Sequence, residues 1–258
     1  MGMIGLLGRV RAWTTGHWLR GVIVASTILS LIGITIGGWA YLASVALTAG
    51  QVTVDTALAA YDQGDYEEAR STVGHLLSGG RLPRNEYGGP LFVLGAIKIK
   101  DAEVQPVPER RRIEYLIASR YLTEARAYGV PAVHDASAAF LLGRSLIESG
   151  QFDAGVQVLN ELAASPKPGD KLLVVATQQL LVETCLMMPH PKIDMALHYC
   201  DALIASKDVT DEQRTMAQVQ RAECLSRLHR FDDARKTLTA IRAGTPVVAM
   251  MTRTILLD

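Results

Sequence analysis

The residues of this chain that could most readily bind a metal ion or act as a nucleophile are six histidines and three cysteines. The histidines show neither a His-Glu-x-x-His pattern nor any other paired ligand spacing. His198 and Cys200 lie two positions apart, and residues at that separation do not face one another on a helix. The sequence therefore predicts no metal site and no cofactor.

The cysteines, Cys185, Cys200 and Cys224, have no Cys-x-x-Cys spacing. Three thiols cannot all pair with one another, and cysteine is a small side chain that proteins often bury. We interpret them as core residues. The alternative is one disulfide among them if this part of the chain lies in an oxidising compartment.

Catalytic motifs of other kinds are missing from the sequence. It contains no Gly-x-Ser-x-Gly, no P-loop and no Gly-x-Gly-x-x-Gly before a helix. The paired acids Glu67-Glu68 and Asp232-Asp233 follow turns, where acids stabilise the amino end of a helix. We therefore expect a protein that is not an enzyme. The zero formal net charge also gives no general attraction to nucleic acid, so we expect no nucleic-acid partner.

A long uncharged stretch near the amino end predicts a membrane segment. Residues 1–20 carry three arginines and no acid, whereas residues 21–54 carry no charged residue at all. About 20 apolar residues span a bilayer, so residues 21–47 are long enough to cross it. Because the arginines lie on one flank only, residues 1–20 are expected in the cytoplasm and residues 51–258 outside it.

The alternative to a retained signal anchor is a cleaved signal peptide. Ser44-Val45-Ala46 is an acceptable cleavage site, but the apolar stretch is longer than the roughly 7–15 residues of a signal peptide. A retained anchor is therefore the favoured interpretation.

Small residues fall near one face of the predicted membrane helix and include a Gly-x-x-x-Gly pair, which lets two helices approach closely. They predict a helix–helix contact in the membrane, through Ser26, Ser30, Gly33, Gly37, Ala40 and Ser44.

The part after residue 50 shows a recurring hairpin pattern, which is clearest in residues 139–166. One helix is predicted through Leu142-Gly143-x-x-Leu146, and Gly150 interrupts it. A second helix is predicted through Gly155-x-x-x-Leu159, and Pro166 ends the unit. This pattern resembles the tetratricopeptide repeat (TPR) family, whose template is W-x2-L-G-x2-Y, then A-x3-F, then P.

The resemblance implies a TPR-like α-solenoid. Together with the single transmembrane helix predicted from residues 21–47, the expected fold is all-α. The resemblance predicts about five helical hairpins, at residues 51–83, 88–131, 135–166, 171–206 and 211–246. Residues 247–258 are predicted to be either a capping helix or the beginning of an incomplete further unit.

The second hairpin carries an insertion, Asp101 to Arg112, that predicts an exposed linker between its helices. Pro108 could start the following helix. The basic run Arg110 to Arg112 is interpreted as the solvated first turn of that helix, and the alternative is a patch for lipid head groups or an acidic partner.

In TPR domains, the first helices of successive hairpins line a groove that receives a peptide or another protein. The resemblance implies a largely apolar groove, with no Lys and Asn cluster of the kind that captures a C-terminal carboxylate. The implied lining residues are Phe92, Ala96, Ile99, Phe140, Arg144, Ile147, Gln178, Leu181, Met188, Val219, Glu223 and Ser226.

The resemblance implies a membrane-anchored bacterial TPR-domain protein that works as a scaffold or accessory subunit. We expect its helical domain in the periplasm, beside the inner membrane, with other proteins as partners. Two alternatives remain open. The chain could be a structural subunit packed through its membrane helix, or it could recruit substrates for an enzyme whose catalytic part lies elsewhere.

Overall fold

The structure is a computed structural model that describes residues 52–79, 82–165 and 170–241. All regular structure in these ranges is helical, which confirms the predicted all-α class. The α-helices are α1 (Val54–Asp62), α2 (Tyr66–Ser78), α3 (Gly88–Val104), α4 (Pro108–Tyr128), α5 (Asp135–Glu148), α6 (Phe152–Ala164), α7 (Lys171–Met187), α8 (Ile193–Ala205), α9 (Asp211–Arg227) and α10 (Phe231–Ala240), with a short 3-10 helix at Arg84–Glu86.

Several predictions made from the sequence fall outside the described residues. They are the cytoplasmic segment, the membrane anchor at 21–47 with its face of small residues, and the terminal helix at 247–258. Within the described ranges, none of the helices combines the length and the apolar character needed to cross a membrane.

The helices pair in chain order into five hairpins, α1 with α2 through to α9 with α10. The second helix of each hairpin also packs against the first helix of the next hairpin. This neighbour-to-neighbour packing makes a helical solenoid, because no single hairpin can bury its apolar face alone. Each hairpin range predicted from the sequence contains two of these helices.

Three of the hairpins turn through a residue with positive φ, namely Gly64, Gly150 and His229. After each one, the next N–H donates to a carbonyl five residues earlier, as Gln151 does to Leu146 at 2.7 Å. This is the Schellman arrangement that closes a helix, and glycine is its usual residue. His229 occupies the same conformation with φ of 59°.

Small residues allow close helix crossing in the third hairpin. A Cβ placed on Gly143 would lie 2.5 Å from the Cγ of Leu159. A Cβ on Gly155 would lie 2.8 Å from the carbonyl oxygen of Gly143. The Leu-Gly pattern in the sequence therefore marks the point where α5 and α6 cross.

The linker predicted at Asp101 to Arg112 is wrong in extent. The helix α3 continues to Val104 and α4 begins at Pro108, so only residues 105–107 connect them. Proline at the first position of α4 has the φ that a helix needs and no N–H to satisfy.

The basic run lies at the start of α4 rather than in a loop. Arg110 and Arg111 are exposed in its first turns. Arg112 Nε donates to the carbonyl oxygen of Ser149 at 2.9 Å, which ties α4 to the end of α5.

The buried apolar residues form two large clusters and a small one. The first cluster spans α1 to α5 and includes Phe92 and Leu122. The second joins α6 to α9 and includes Leu181 and Leu203. The small cluster lies between α9 and α10, around Leu225.

Candidate functional site

The first helices of the hairpins form one layer of the solenoid. Each of α1, α3, α5 and α7 contacts the next first helix, whereas successive second helices lie farther apart. In a curved stack, the layer whose helices are closer together lies on the inside. The first helices therefore line the concave side.

One side of α7 is not buried at any point along its length. It carries Leu172, Ala176, Leu180, Glu183 and Met187, at spacings of four, four, three and four residues, which place them on a single face of the helix. Leu172 is 81% exposed and Met187 is 77% exposed. Large apolar side chains at such exposure at both ends of one stripe make this side of α7 a candidate binding surface.

The neighbouring first helices carry stripes in the same register. The stripe on α5 begins just before that helix, and its residues lie 39 positions before those of the α7 stripe. The residues of the stripe on α9 lie 40 positions after those of the α7 stripe. None of these residues is buried. We call the three stripes together the inner face, and its members from these two neighbouring stripes are Val133, Ser137, Leu141, Arg144, Glu148, Glu212, Met216, Gln220, Glu223 and Arg227.

The charged residues of the inner face are mostly acidic, because it holds four glutamates against two arginines. Both arginines are already paired. Arg144 donates to Glu103 of α3 at 2.8 Å, and Arg227 bonds Glu223 and the carbonyl oxygen of Leu186. Within the described residues, the other three glutamates have no ion-pair partner: Glu148, Glu183 and Glu212.

The Arg144–Glu103 pair also links two hairpins across the first-helix layer. Burial of Glu103 opposes its ionisation, but hydrogen bonds from Lys100 and Arg144 outweigh that effect and lower the pKa of the carboxyl group. Glu103 therefore keeps its charge into mildly acidic solution, and Arg144 is held in place at the edge of the inner face.

The inner face ends at α5, because the start of α1 covers the matching side of α3 in the second hairpin. If Gly95 is matched with Gly143, the positions equivalent to the stripe on α5 include Gly89, Val93 and Ala96, and all three are buried. A Cβ on Gly89 would lie 2.5 Å from a methyl group of Val54, so the start of α1 packs directly on it.

Six of the predicted groove residues are core residues in the structure. Since none of them is more than 4% exposed, this part of the predicted groove is corrected: Phe92, Ala96, Ile99, Leu181, Met188 and Val219 offer no open surface. Phe92 shows the cause, because it lies between Tyr61 of α1 and His134 at the start of α5. The prediction took the packed side of the first helices for the open side.

The other predicted groove residues are at least partly open. Arg144 and Glu223 belong to the inner face. Phe140 and Ile147 are half-buried beside it and pack against the second core cluster. Gln178 and Ser226 are also half-buried. The helical period places Gln178 away from the stripe of α7, whereas Ser226 borders the stripe of α9, at the position equivalent to Ile147.

The sequence reasoning missed Leu172, Ala176, Leu180, Glu183 and Met187. The signal that could have found them is their helical spacing on α7. A second set of α7 residues has the same helical period but is buried in the core.

The three cysteines of the sequence come together in the structure although they are far apart in the chain. Cys185 of α7, Cys200 of α8 and Cys224 of α9 are each fully buried and belong to the second core cluster. No group of three or more His, Cys, Asp or Glu residues is arranged to hold a metal ion in the part of the chain that the structure describes.

No protein-family model matches this chain, and no curated protein sequence does. Among solved structures, the nearly identical TPR-like repeats of a kinesin light chain candidate from Podosopora anserina are similar, at 16% identity and a TM-score of 0.48. That likeness covers 74% of this chain and 92% of the other. A single-residue variant of the same repeats gives 14% identity, a TM-score of 0.47, and coverage of 80% and 95%.

Proposed function

We propose that this chain is a membrane-anchored scaffold or accessory subunit that binds a partner protein through the inner face. The observation that carries the proposal is the aligned set of three open stripes, with Leu172 and Met187 strongly exposed on the middle one. A repeat stack with such a continuous face suits the binding of an extended or helical segment.

The chemistry of the inner face indicates the kind of segment it takes. Leucine, methionine, valine and alanine side chains supply apolar contact along the stripes. Glu148, Glu183 and Glu212 have no ion-pair partner in the described residues, so a partner that brings Lys or Arg beside its apolar residues is complementary. The proposed ligand is an amphipathic protein segment with basic residues on its flanks.

The anchoring part of the proposal rests on the sequence. Residues 21–47 carry no charge, and the arginines before them favour a cytoplasmic amino end. The helical domain would then lie outside the cytoplasm, beside the membrane. The Gly33 and Gly37 face of the anchor would give it a second contact, with another membrane helix.

Co-purification from membranes tests the binding face. Full-length protein with Leu172→Asp and Met187→Asp is compared with wild type and with Ile113→Asp, each extracted in mild detergent. Ile113 is the matched control, because it is a 53% exposed apolar residue on a second helix. We expect the double variant to lose the partners that wild type and Ile113→Asp retain. Equal recovery by all three proteins would reject the inner face as the binding site.

A reporter fusion tests the anchoring separately. Alkaline phosphatase fused after Asp258 should be active, because that enzyme needs an oxidising compartment. Replacing Leu31 and Ile34 with Arg should remove both activity and membrane retention, since arginine at the centre of a bilayer is costly. An inactive fusion to the unchanged chain would contradict the proposed topology.

A further inference from the structure

Two of the three buried cysteines, both free thiols, lie in one core cluster between neighbouring hairpins. The Cys200 thiol of α8 donates a hydrogen bond to the Cys224 sulfur of α9. Both residues are fully buried, and α8 packs directly against α9. Their sulfur atoms are therefore already neighbours in the thiol form, although 24 residues separate them in the chain.

The two thiols of the pair are not equivalent. Cys200 keeps the proton, because its hydrogen bond to Cys224 and its burial both raise its pKa. The same hydrogen bond lowers the pKa of Cys224, against the effect of burial. In the folded pair, Cys224 is thus the thiol that loses its proton more readily.

Cys185 lies in the same cluster without that bond. Burial is the main reason that its pKa rises to about 11. It stays a protonated core residue and gives the pair a matched internal control.

We propose that Cys200 and Cys224 form a disulfide that joins the fourth hairpin to the fifth when the chain folds in an oxidising compartment. The oxidant is a disulfide, such as oxidised glutathione or an oxidoreductase of the thioredoxin type. While the two helices are apart, one of the two cysteines attacks as its thiolate one sulfur of that disulfide, forms a mixed disulfide and releases the first thiol. When the helices close, the other cysteine gives up its proton, attacks the protein sulfur of the mixed disulfide and releases the second thiol. Two protein thiols are oxidised, and one disulfide is reduced to two thiols.

Burial decides when this reaction takes place. In the folded protein, a dissolved oxidant or reductant cannot reach either sulfur, because both residues are fully buried. The bond forms while α8 and α9 are still opening and closing, and it is then shielded from reduction. The disulfide fixes α9, the first helix of the fifth hairpin, to α8. It thereby also holds the stripe of α9 against α7.

Thiol trapping in cells tests the proposal. Cells that make the full-length protein are quenched in acid, and the protein is alkylated while unfolded, purified, digested with trypsin and mapped by mass. The three cysteines fall in separate tryptic peptides, 172–192, 193–207 and 222–227. We expect peptides 193–207 and 222–227 to be joined and Cys185 to be alkylated.

The variants make the outcome specific. Cys185→Ser should keep the joined peptides, whereas Cys200→Ser should leave Cys185 and Cys224 both alkylated. In wild type, reduction after unfolding should lower the thermal midpoint when compared with the oxidised form. Three alkylated cysteines in wild type from cells in which the phosphatase fusion is active, or a joined pair that contains Cys185, would overturn the proposal.

Discussion

The ring of His134 stacks on the ring of Phe92, with centroids 5.1 Å apart and an angle of 28° between the planes. Tyr61 meets the same Phe92 ring edge-on at 5.4 Å, and His134 Nε2 lies 3.6 Å from Asp62 Oδ2. Residues of the first and third hairpins thus meet over the second. This contact closes the concave side at α3 and leaves it open only from α5 onward.

Phe92→Ala should destabilise the domain much more than Phe140→Ala. Phe92 has no exposed surface, and truncating a fully buried phenylalanine costs about 3–5 kcal/mol. Phe140 occupies the equivalent position of the next hairpin but is only half-buried, so less contact is lost. Urea unfolding followed by circular dichroism measures both. Similar losses for the two variants would mean that the first and third hairpins do not close over Phe92.

Gly155→Ala and Gly74→Ala should change stability in opposite directions. An added methyl group at Gly155 would meet the backbone oxygen of Gly143 at 2.8 Å, and such overpacking costs about 1–3 kcal/mol. Gly74 has nothing within 4 Å of a Cβ, so alanine there should stabilise α2 by roughly 0.5–1 kcal/mol. Thermal melts of both variants show whether each substitution stabilises or destabilises the domain. A stabilised Gly155→Ala protein would be inconsistent with the close crossing of α5 and α6.

His229→Gly should stabilise the fifth hairpin by about 0.5–1 kcal/mol. His229 has φ of 59°, a conformation that disfavours residues with a Cβ, and glycine removes that strain at some cost in unfolded-state entropy. Gly64→Ala is the converse control, because Gly64 has φ of +82° and open space around it. That control should lose stability through the backbone alone. A melting temperature that falls in His229→Gly would argue against the turn as described.

Glu103→Gln should destabilise the domain slightly near neutral pH and not at all in acid. Partial desolvation raises the pKa of Glu103, but hydrogen bonds from Lys100 and Arg144 outweigh it and lower the pKa in the folded state. Its contribution is therefore present above the unfolded pKa of about 4.3 and is lost as the pH falls through the lower folded value. We expect a difference of about 0.5 kcal/mol at pH 7, because the pair is partly exposed. Urea titrations at several pH values check this, and a difference that persists in strong acid would rule it out.

The helical hairpins could be predicted from the sequence because their signals are local. The Leu142-Gly143 pair, the break at Gly150 and the small residue at Gly155 all lie within one unit of the chain. The same holds for the turn at Gly64, where the Schellman arrangement favours glycine. Each of these features depends on helix period and turn geometry alone.

The open side of the first helices could not be predicted in the same way. An apolar residue such as Phe92 has the same spacing whether it faces the groove or a neighbouring hairpin. Its burial depends on Tyr61 and His134, which approach it from other repeats. The meeting of Cys200 with Cys224 likewise depends on how the fourth hairpin stacks on the fifth, and no local pattern carries that information.

Site-specific photo-crosslinking tests the binding face most directly. A photoreactive phenylalanine analogue replaces Leu172, Met187 or Ile113 in the full-length chain, and intact cells are irradiated. All three side chains are exposed, but only the first two lie on the inner face. We expect the same crosslinked protein from positions 172 and 187 and none from position 113. Crosslinks from position 113 alone, or from none of the three, would contradict a partner bound on the inner face.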